Sequence, residues 1–216
     1  MNFLSHYKTD GSQNHQQNFG LLLPDFLGIV NRKLKMHHLL EGARETEVVK
    51  GIKLHLRADD YWHSSKFFIQ KNELIKKVLI DFDFVEKPYR PFFMTHVILE
   101  LLLDRALVLQ NETLCHNMYG SIEKFERSWL NYLNIDGATV DKLENFVESF
   151  IKYRYVFQYA NNEQYIYALN RLFQRVRHPE LEFTSENELN IFVTALDSTI
   201  QNDYENIFHE IRNQPI

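Results

Sequence analysis

The sequence contains little cysteine, glycine and proline, and each scarcity excludes a class of protein. The single cysteine, Cys115, cannot form an internal disulfide, so a secreted, disulfide-stapled domain is excluded and a reducing, cytoplasmic location is expected. Seven glycines and five prolines are too few for the many turns of an all-β sandwich or barrel. We therefore expect an all-α fold, a single-domain helical bundle that spans residues 1–216.

Long apolar runs and clusters of positive charge are also missing. The most apolar stretch, residues 97–109, is interrupted by three charged side chains and is too short to span a bilayer. The polar residues from Ser5 onward leave no room for a signal-peptide core. A net charge of −5 without a dense Lys/Arg run gives no general attraction for nucleic acid. We expect neither a membrane nor a nucleic acid as partner, and the oligomeric state is left open.

Apolar residues recur at helical spacing along most of the chain. The predicted helices are 19–31, with Pro24 near its start, 46–62, 64–79, 92–109, 118–134, 139–158, 162–176 and 185–212. The polar segment 8–18 is predicted to be an exposed loop, with residues 9–18 mobile. Pro88 and Pro91 mark a break before the most apolar helix, 92–109, which we call the central helix.

His55 and Asp59 form the first candidate for chemistry. A spacing of four places both side chains on one face of a helix. An imidazole and a carboxylate in this arrangement can bind a divalent metal. The spacing alone is common, however, and an isolated pair of this kind more often reflects a surface or capping hydrogen bond between neighbours.

The central helix carries a second candidate, because His96, Glu100 and Asp104 also step by four, among leucine, isoleucine and valine. They form one narrow polar stripe on an otherwise apolar helix. Two interpretations are open: the stripe lines an internal cleft, or it is the solvated edge of a core helix.

If the stripe lies inside, its carboxylates need a compensating cation or proton. The imidazoles of His55 and His96 and the carboxylates of Asp25 and Asp59 would form a mixed nitrogen and oxygen ligand set. Such a set suits Mn, Fe or Zn, and Mg less well.

Several segments resemble, in order and spacing, the acyl carrier protein phosphodiesterases. They are Met1-Asn-Phe-Leu-Ser-His6, Gly20-Leu-Leu-Leu-Pro-Asp25-Phe26, Gly51-Ile-Lys-Leu-His55-Leu-Arg57-Ala-Asp59, Tyr153-Arg154 and Leu169-Asn-Arg171-Leu-Phe-Gln-Arg175. That family looks like a divergent branch of the helical, metal-dependent HD phosphohydrolases. It removes the 4′-phosphopantetheine arm from a serine of holo acyl carrier protein. The resemblance implies an HD-phosphohydrolase-like bundle and acyl carrier protein as partner.

The resemblance also implies roles for particular residues. Carried over by position, His6, Asp25, His55 and Asp59 are expected around a divalent metal, with Mn, Fe or Mg first and Zn as a further candidate. His96 is expected to join them because it lies one turn before Leu101, where the family has a histidine. Asp59 or Glu100 would orient the attacking water, and Arg57 would neutralise charge that develops on the phosphate. The sequence departs from the family on the central helix, where an acidic residue usually lies four positions before an Asp-His pair. His96, Glu100 and Leu101 stand at those positions, and Leu21 replaces a usual asparagine.

An acyl carrier protein is acidic, so a complex would need a positive surface on this chain. The candidates are Lys50, Lys53, Arg57, Arg171, Arg175 and Arg177, each of which is otherwise an ordinary solvated charge. Two alternatives remain: hydrolysis of another small phosphoester, and a catalytically inactive helical interaction module.

Overall fold

The chain folds into helices joined by short turns. The computed structural model describes residues 1–84 and 91–215, and every regular element in this part is helical. The helices are α1 (Phe3–Asp10), α2 (His15–Val30), α3 (Met36–Leu40), α4 (Glu47–Ser64), α5 (Lys66–Asp81), α6 (Pro91–Gln110), α7 (Glu112–Ile122), α8 (Gly137–Tyr153), α9 (Tyr155–Gln158), α10 (Asn162–Gln174), α11 (Glu186–Ile200) and α12 (Tyr204–Arg212). A 3₁₀ turn, Arg127–Leu130, precedes α8. The all-α, single-domain prediction is confirmed.

Short polar side chains fix where many of the helices begin. Their oxygens accept hydrogen bonds from backbone N–H groups of the first turn, which have no partner inside the helix. These N-caps are Asn14, Thr46, Ser65, Asn111, Asp136, Asn161 and Ser185. The predicted helices 46–62 and 64–79 therefore match α4 and α5 to within two residues at each end.

The predicted exposed loop over 8–18 is confirmed only for residues 11–14, which lie between two helices and are largely exposed; the rest of the prediction is wrong. Helix α1 continues to Asp10 and α2 begins at His15, because Asn14 caps α2 by accepting from two amide groups. Asn18 is buried, and its side-chain amide donates to Ser12 and Ser121. Pro24 also lies in the interior of α2 and not near its start.

Two predicted helices in the C-terminal half are each divided in two. The helix predicted over 139–158 is interrupted at Arg154, which adopts the left-handed conformation at φ 50° and separates α8 from α9. The helix predicted over 185–212 is likewise divided into α11 and α12. The prediction over 118–134 is also wrong, since α7 ends at Ile122 and only the 3₁₀ turn follows. The break at Pro88 lies outside the described residues.

The central helix, α6, lies against α1, α5, α7, α9, α10 and α11. Its leucines at 99, 102 and 103 are completely buried in an apolar core to which most of the other helices contribute. Among the described helices, none combines the length and the hydrophobicity that a bilayer span requires. Helix α6 is thus a core helix, and its polar stripe needs a separate explanation.

Helices α2 and α4 approach each other closely at two glycines. A Cβ atom on Gly20 would lie 2.2 Å from the carbonyl oxygen of Val48, and one on Gly51 would lie 2.1 Å from that of Gln17. Only glycine permits this approach. One turn after Gly51, His55 faces α2, and the glycine contact thereby sets its distance from Asp25.

Candidate functional site

Helix α1 is fixed to the central helix by Asp104. The carboxylate of Asp104 is fully buried and accepts hydrogen bonds from the backbone N–H groups of Leu4 and Ser5, at 3.1 and 2.8 Å, and from the Ser5 hydroxyl at 2.7 Å. These amides belong to the first turn of α1 and have no helical partner. Asp104 therefore holds α1 in place and, with it, the adjacent His6.

His55 is held in one tautomer by α2. Its Nδ1 lies 2.8 Å from the carbonyl oxygen of Leu21, and a carbonyl oxygen can only accept a hydrogen bond. When His55 is neutral, the proton is therefore on Nδ1 and Nε2 carries a lone pair. This is the usual arrangement of a metal-binding histidine. Leu21 contributes its backbone, which any residue at this position supplies.

Four of the predicted site residues, with His55 at their centre, converge. The Nε2 atom of His55 lies 3.4 Å from Asp59 Oδ2 and 4.0 Å from Asp25 Oδ1. His6 Nε2 lies 3.3 Å from Asp59 Oδ1, and the His6 and His55 rings are stacked at a centroid distance of 3.8 Å. His6, Asp25 and His55 each offer a ligand atom within 4.8 Å of the others. We call His6, Asp25, His55 and Asp59 the inner cluster.

A cation of the chain itself borders the inner cluster. The α-amino group of Met1 is buried and donates to Asp59 Oδ1 at 2.8 Å, and it lies 3.0 Å from Glu100 Oε1. Burial alone would lower the pKa of this amine, but Glu100 and Asp59 outweigh that effect and raise it to about 11. A positive charge therefore stands between the two carboxylates.

The same amine keeps both carboxylates ionised. Burial would raise the pKa of Asp59, but the Met1 ammonium, His6 and His55 hold it well below its usual range. Burial acts in the same direction on Glu100, where the ammonium and His96 lower the pKa to about 2. Asp59 and Glu100 thus keep their negative charge at neutral pH.

The other groups of the inner cluster respond mainly to burial. Burial raises the pKa of Asp25 to about 7, and together with His55 it lowers that of His6 to about 3. In His55 burial lowers the pKa, yet Asp25 and Asp59 outweigh it and raise the value. His6 is therefore neutral and offers a lone pair, while Asp25 changes charge near neutral pH.

The residues of the inner cluster fit a divalent metal. Neither ring nitrogen of buried His6 makes a well-directed hydrogen bond, and the same holds for Asp25 Oδ2. Buried polar atoms normally have partners. Two ligand atoms that each lie about 2.0–2.2 Å from one ion are roughly 3 to 3.5 Å apart, which matches the two contacts of Asp59 with histidine. The contact between His55 and Asp25 is somewhat longer.

The structure places His96 in a different group. His96 Nε2 lies 2.9 Å from Glu100 Oε1 and 3.2 Å from Nε2 of His63. These three side chains are a second set whose ligand atoms converge within 4.8 Å, and we call them the outer cluster. His63 was missed from the sequence, although His55, Asp59 and His63 step by four along α4 and lie on one face. His96 is not within reach of the inner cluster by any described contact.

Arg57 points away from both clusters. Its guanidinium makes two hydrogen bonds to the carboxylate of Asp10, at 2.6 and 2.7 Å, and a third to the backbone of Gln214. The side chain therefore joins α4 to α1 and to the C-terminal segment. The structure does not bring Arg57 to the position expected from the sequence, beside the phosphate.

A cleft of about 790 Å³ connects this site with the surface. Asp25, Glu100 and Leu101 are among its lining residues. Most of the wall is apolar or aromatic, with Phe93, Phe146, Tyr155 and Tyr167 among its residues. Three arginines also line it: Arg32, Arg171 and Arg175. The cleft thus combines carboxylates next to the inner cluster, an aromatic wall and positive charge.

The basic residues named from the sequence differ in their partners. Lys50, Lys53 and Arg57 each lie within 4.0 Å of a carboxylate. Arg171 and Arg175 make no such ion pair with any described residue, and Arg32 donates only to the backbone of Arg175. Mutual repulsion among these arginines, added to burial, lowers the pKa of Arg175. Free positive charge therefore lies at the cleft and not along α4.

No protein-family model, curated protein or solved structure matches the chain. The resemblance to the acyl carrier protein phosphodiesterases is therefore carried by its short motifs, and the chemistry of the site by its geometry.

Proposed function

We propose that the chain is a metal-dependent phosphodiester hydrolase, with phosphopantetheinylated acyl carrier protein as its leading substrate. The observation that supports this most is the inner cluster. A histidine with a fixed tautomer, a neutral second histidine and two carboxylates converge, and one of the carboxylates, Asp25, lines the cleft. His6, Asp25, His55 and Asp59 would hold the ion. A divalent ion at this position would supply Lewis acidity towards phosphate oxygen and water.

The carboxylates next to the ion site can position the nucleophile. Asp59 and Glu100 remain ionised at neutral pH because the Met1 ammonium stabilises their charge. A carboxylate of this kind accepts a hydrogen bond from water and orients it.

The cleft suits a long substrate that is attached to an acidic protein. Its aromatic wall can contact a flexible, uncharged arm, and Arg32, Arg171 and Arg175 can attract negative charge at the protein surface. These features support a phosphopantetheine arm over a compact phosphoester. They favour a protein-binding surface at the mouth of the cleft.

The direct test is incubation of the protein with Mn²⁺ and holo acyl carrier protein, followed by mass spectrometry of the carrier. We expect the carrier to lose the mass of phosphopantetheine. His55→Ala should abolish this loss, and His209→Ala, a change of an exposed histidine on α12, should retain it. If the carrier protein is unchanged and a small phosphodiester is hydrolysed, the substrate is a small phosphodiester and not the carrier protein.

One observation favours a second candidate, a helical interaction module without catalysis. The Met1 ammonium already supplies a cation to Asp59 and Glu100, so one of these two negative charges is balanced without a metal. The module predicts that protein purified without chelator carries no bound metal and hydrolyses neither kind of substrate. Bound metal in the inner cluster would exclude it.

A further inference from the structure

The outer cluster joins the end of α4 to the start of α6. His63 lies in the last turn of α4, and His96 and Glu100 lie one turn apart on α6. The two histidine Nε2 atoms are 3.2 Å apart, and Glu100 Oε1 is 2.9 Å from the Nε2 of His96. Both distances match the separation of about 3 to 3.5 Å expected for ligands of one ion.

A backbone carbonyl fixes the tautomer of His63. Its Nδ1 lies 2.8 Å from the carbonyl oxygen of Asp59, so the proton of the neutral ring is on Nδ1 and Nε2 has a lone pair. This is the device that Leu21 provides for His55. The lone pair of His63 therefore points at Nε2 of His96.

His96 faces two acceptors at once. Its Nε2 is in contact with the carboxylate of Glu100 and with the lone pair of His63. One proton on this nitrogen can satisfy only one of them. Glu100 Oε1 also lies 3.0 Å from the Met1 ammonium, so the carboxylate already has one cationic partner, whereas the lone pair of His63 faces only His96. A metal among the three atoms would use the lone pairs of both imidazoles together with the carboxylate, which a single proton on His96 does not do.

Aromatic rings hold both imidazoles in these orientations. Phe68 packs edge-on against His63 and His96, with centroid distances of 5.3 and 5.1 Å, and Phe92 packs against His96 at 6.0 Å. His63 is exposed, and the side chains of His96 and Glu100 retain 23% and 20% of their accessibility. The donors are thus preorganised and an ion can reach them from solvent.

We infer that His63, His96 and Glu100 form a second divalent-metal site, separate from the inner cluster. Two imidazoles and one carboxylate suit Zn²⁺ or Co²⁺, with water completing the coordination. From the sequence, His96 was expected in the same ligand set as His6 and His55, whereas the structure separates two sets. Asp59 links them, through its side chain in one and its carbonyl in the other. The second site goes beyond the proposed function and does not require hydrolysis.

A third group of possible ligands provides a control. His37, His38 and Glu41 also converge within 4.8 Å, but all three are exposed and lie on or next to the five-residue helix α3. Apart from one another, they make no described contact that orients their donor atoms, and the fixed tautomer found in His63 is missing. We expect this group to bind metal weakly.

The test is isothermal titration of the chelator-treated full chain with Zn²⁺, with the bound metal counted by elemental analysis after gel filtration. We expect two equivalents for the wild-type chain and one for His63→Ala. His55→Ala should also retain one equivalent, and this one should depend on His63. His38→Ala should retain both. If the wild-type chain binds a single equivalent that is lost in His63→Ala and retained in His55→Ala, the second site is supported and the metal site of the proposed function is contradicted.

A second readout follows the ring nitrogens themselves. In ¹⁵N spectra of the imidazoles, Zn²⁺ should shift Nε2 of His63 and His96, in the wild-type chain and in the His55→Ala variant. The more conservative His96→Gln variant removes the same donor if His96→Ala does not fold. A wild-type stoichiometry in His63→Ala, or no shift of either Nε2 atom with Zn²⁺, would overturn the second site.

Discussion

The close approach of α2 and α4 at Gly51 gives a specific prediction about stability. In Gly51→Ala, the new methyl group would lie 2.1 Å from the carbonyl oxygen of Gln17 and 2.8 Å from backbone atoms of Gly20. Ordinary contacts begin at 3.4 Å, so α2 and α4 must separate by roughly 1 Å. Since the opposing atoms are backbone, no side-chain rotation can relieve the contact.

The expected cost follows from this geometry. Overpacking a well-packed interface usually costs about 1–3 kcal/mol. Because the opposing atoms here are backbone, we expect Gly51→Ala to lower the free energy of unfolding by about 3 kcal/mol. For a chain of this length, about 1 kcal/mol corresponds to a change in Tm of about 2–4 °C. We therefore expect Gly51→Ala to lower the Tm of the metal-free protein by about 6–12 °C.

Calorimetry checks this value, with Gly120→Ala as the matched control. Gly120 lies inside α7, and no atom lies within 4 Å of the place that an alanine methyl group would occupy there. Alanine favours a helix over glycine by up to about 1 kcal/mol, so the control should unfold at the same temperature or slightly higher. A Gly51→Ala variant that unfolds at the wild-type temperature would refute the close approach of α2 and α4.

Three further predictions concern the residues around the site. Asp104→Ala removes three hydrogen bonds to α1 and should lower the free energy of unfolding by about 2 kcal/mol; an unchanged denaturation midpoint would contradict this anchoring. Burial raises the pKa of Asp25 to about 7, so the folded, metal-free protein binds this proton more tightly than the unfolded chain does. The free energy of unfolding therefore falls as the pH rises from about 4 to about 7. Asp25→Asn removes this loss, so its stabilising effect in chelator should be larger at about pH 8 than at about pH 5; an equal effect at both pH values would oppose the assignment. Arg57→Ala should leave kcat/KM nearly unchanged, because this side chain binds Asp10. A loss of about tenfold or more would show that Arg57 contributes to the reaction.

The helical architecture and half of the site could be predicted from local patterns. The spacing of four in His55 and Asp59, and the periodic apolar residues around them, reflect interactions within one helix. Such interactions depend on neighbours in sequence, so the pattern records them. The cap at Thr46 similarly fixed the beginning of α4.

The remaining parts depend on contacts between distant segments. The split between an inner and an outer cluster depends on where α6 lies relative to the end of α4, where His63 meets His96, and no single helix pattern specifies this. His63 did carry a local signal, the third step of four after His55, but its partner His96 lies 33 residues away. The burial of the Met1 amine between Asp59 and Glu100 has no signature in the sequence, because it follows from the position of α1.

The predictions of where helices break were wrong for a different reason. Arg154 adopts a left-handed conformation that non-glycine residues seldom favour, so residue type gave no warning of it. Pro24 was expected near a helix start, whereas packing of α2 against α4 tolerates it in the interior. In both places tertiary packing overrides the local preference.

Whether the inner cluster binds a divalent metal decides the proposed function, and anomalous diffraction from crystals soaked in Mn²⁺ can answer this. We expect a manganese peak in coordination with Nε2 of His55 and with carboxylate oxygens of Asp25 or Asp59, and its loss in His55→Ala. Crystals with no peak there, in which the Met1 ammonium still contacts Asp59, would contradict the proposed metal site.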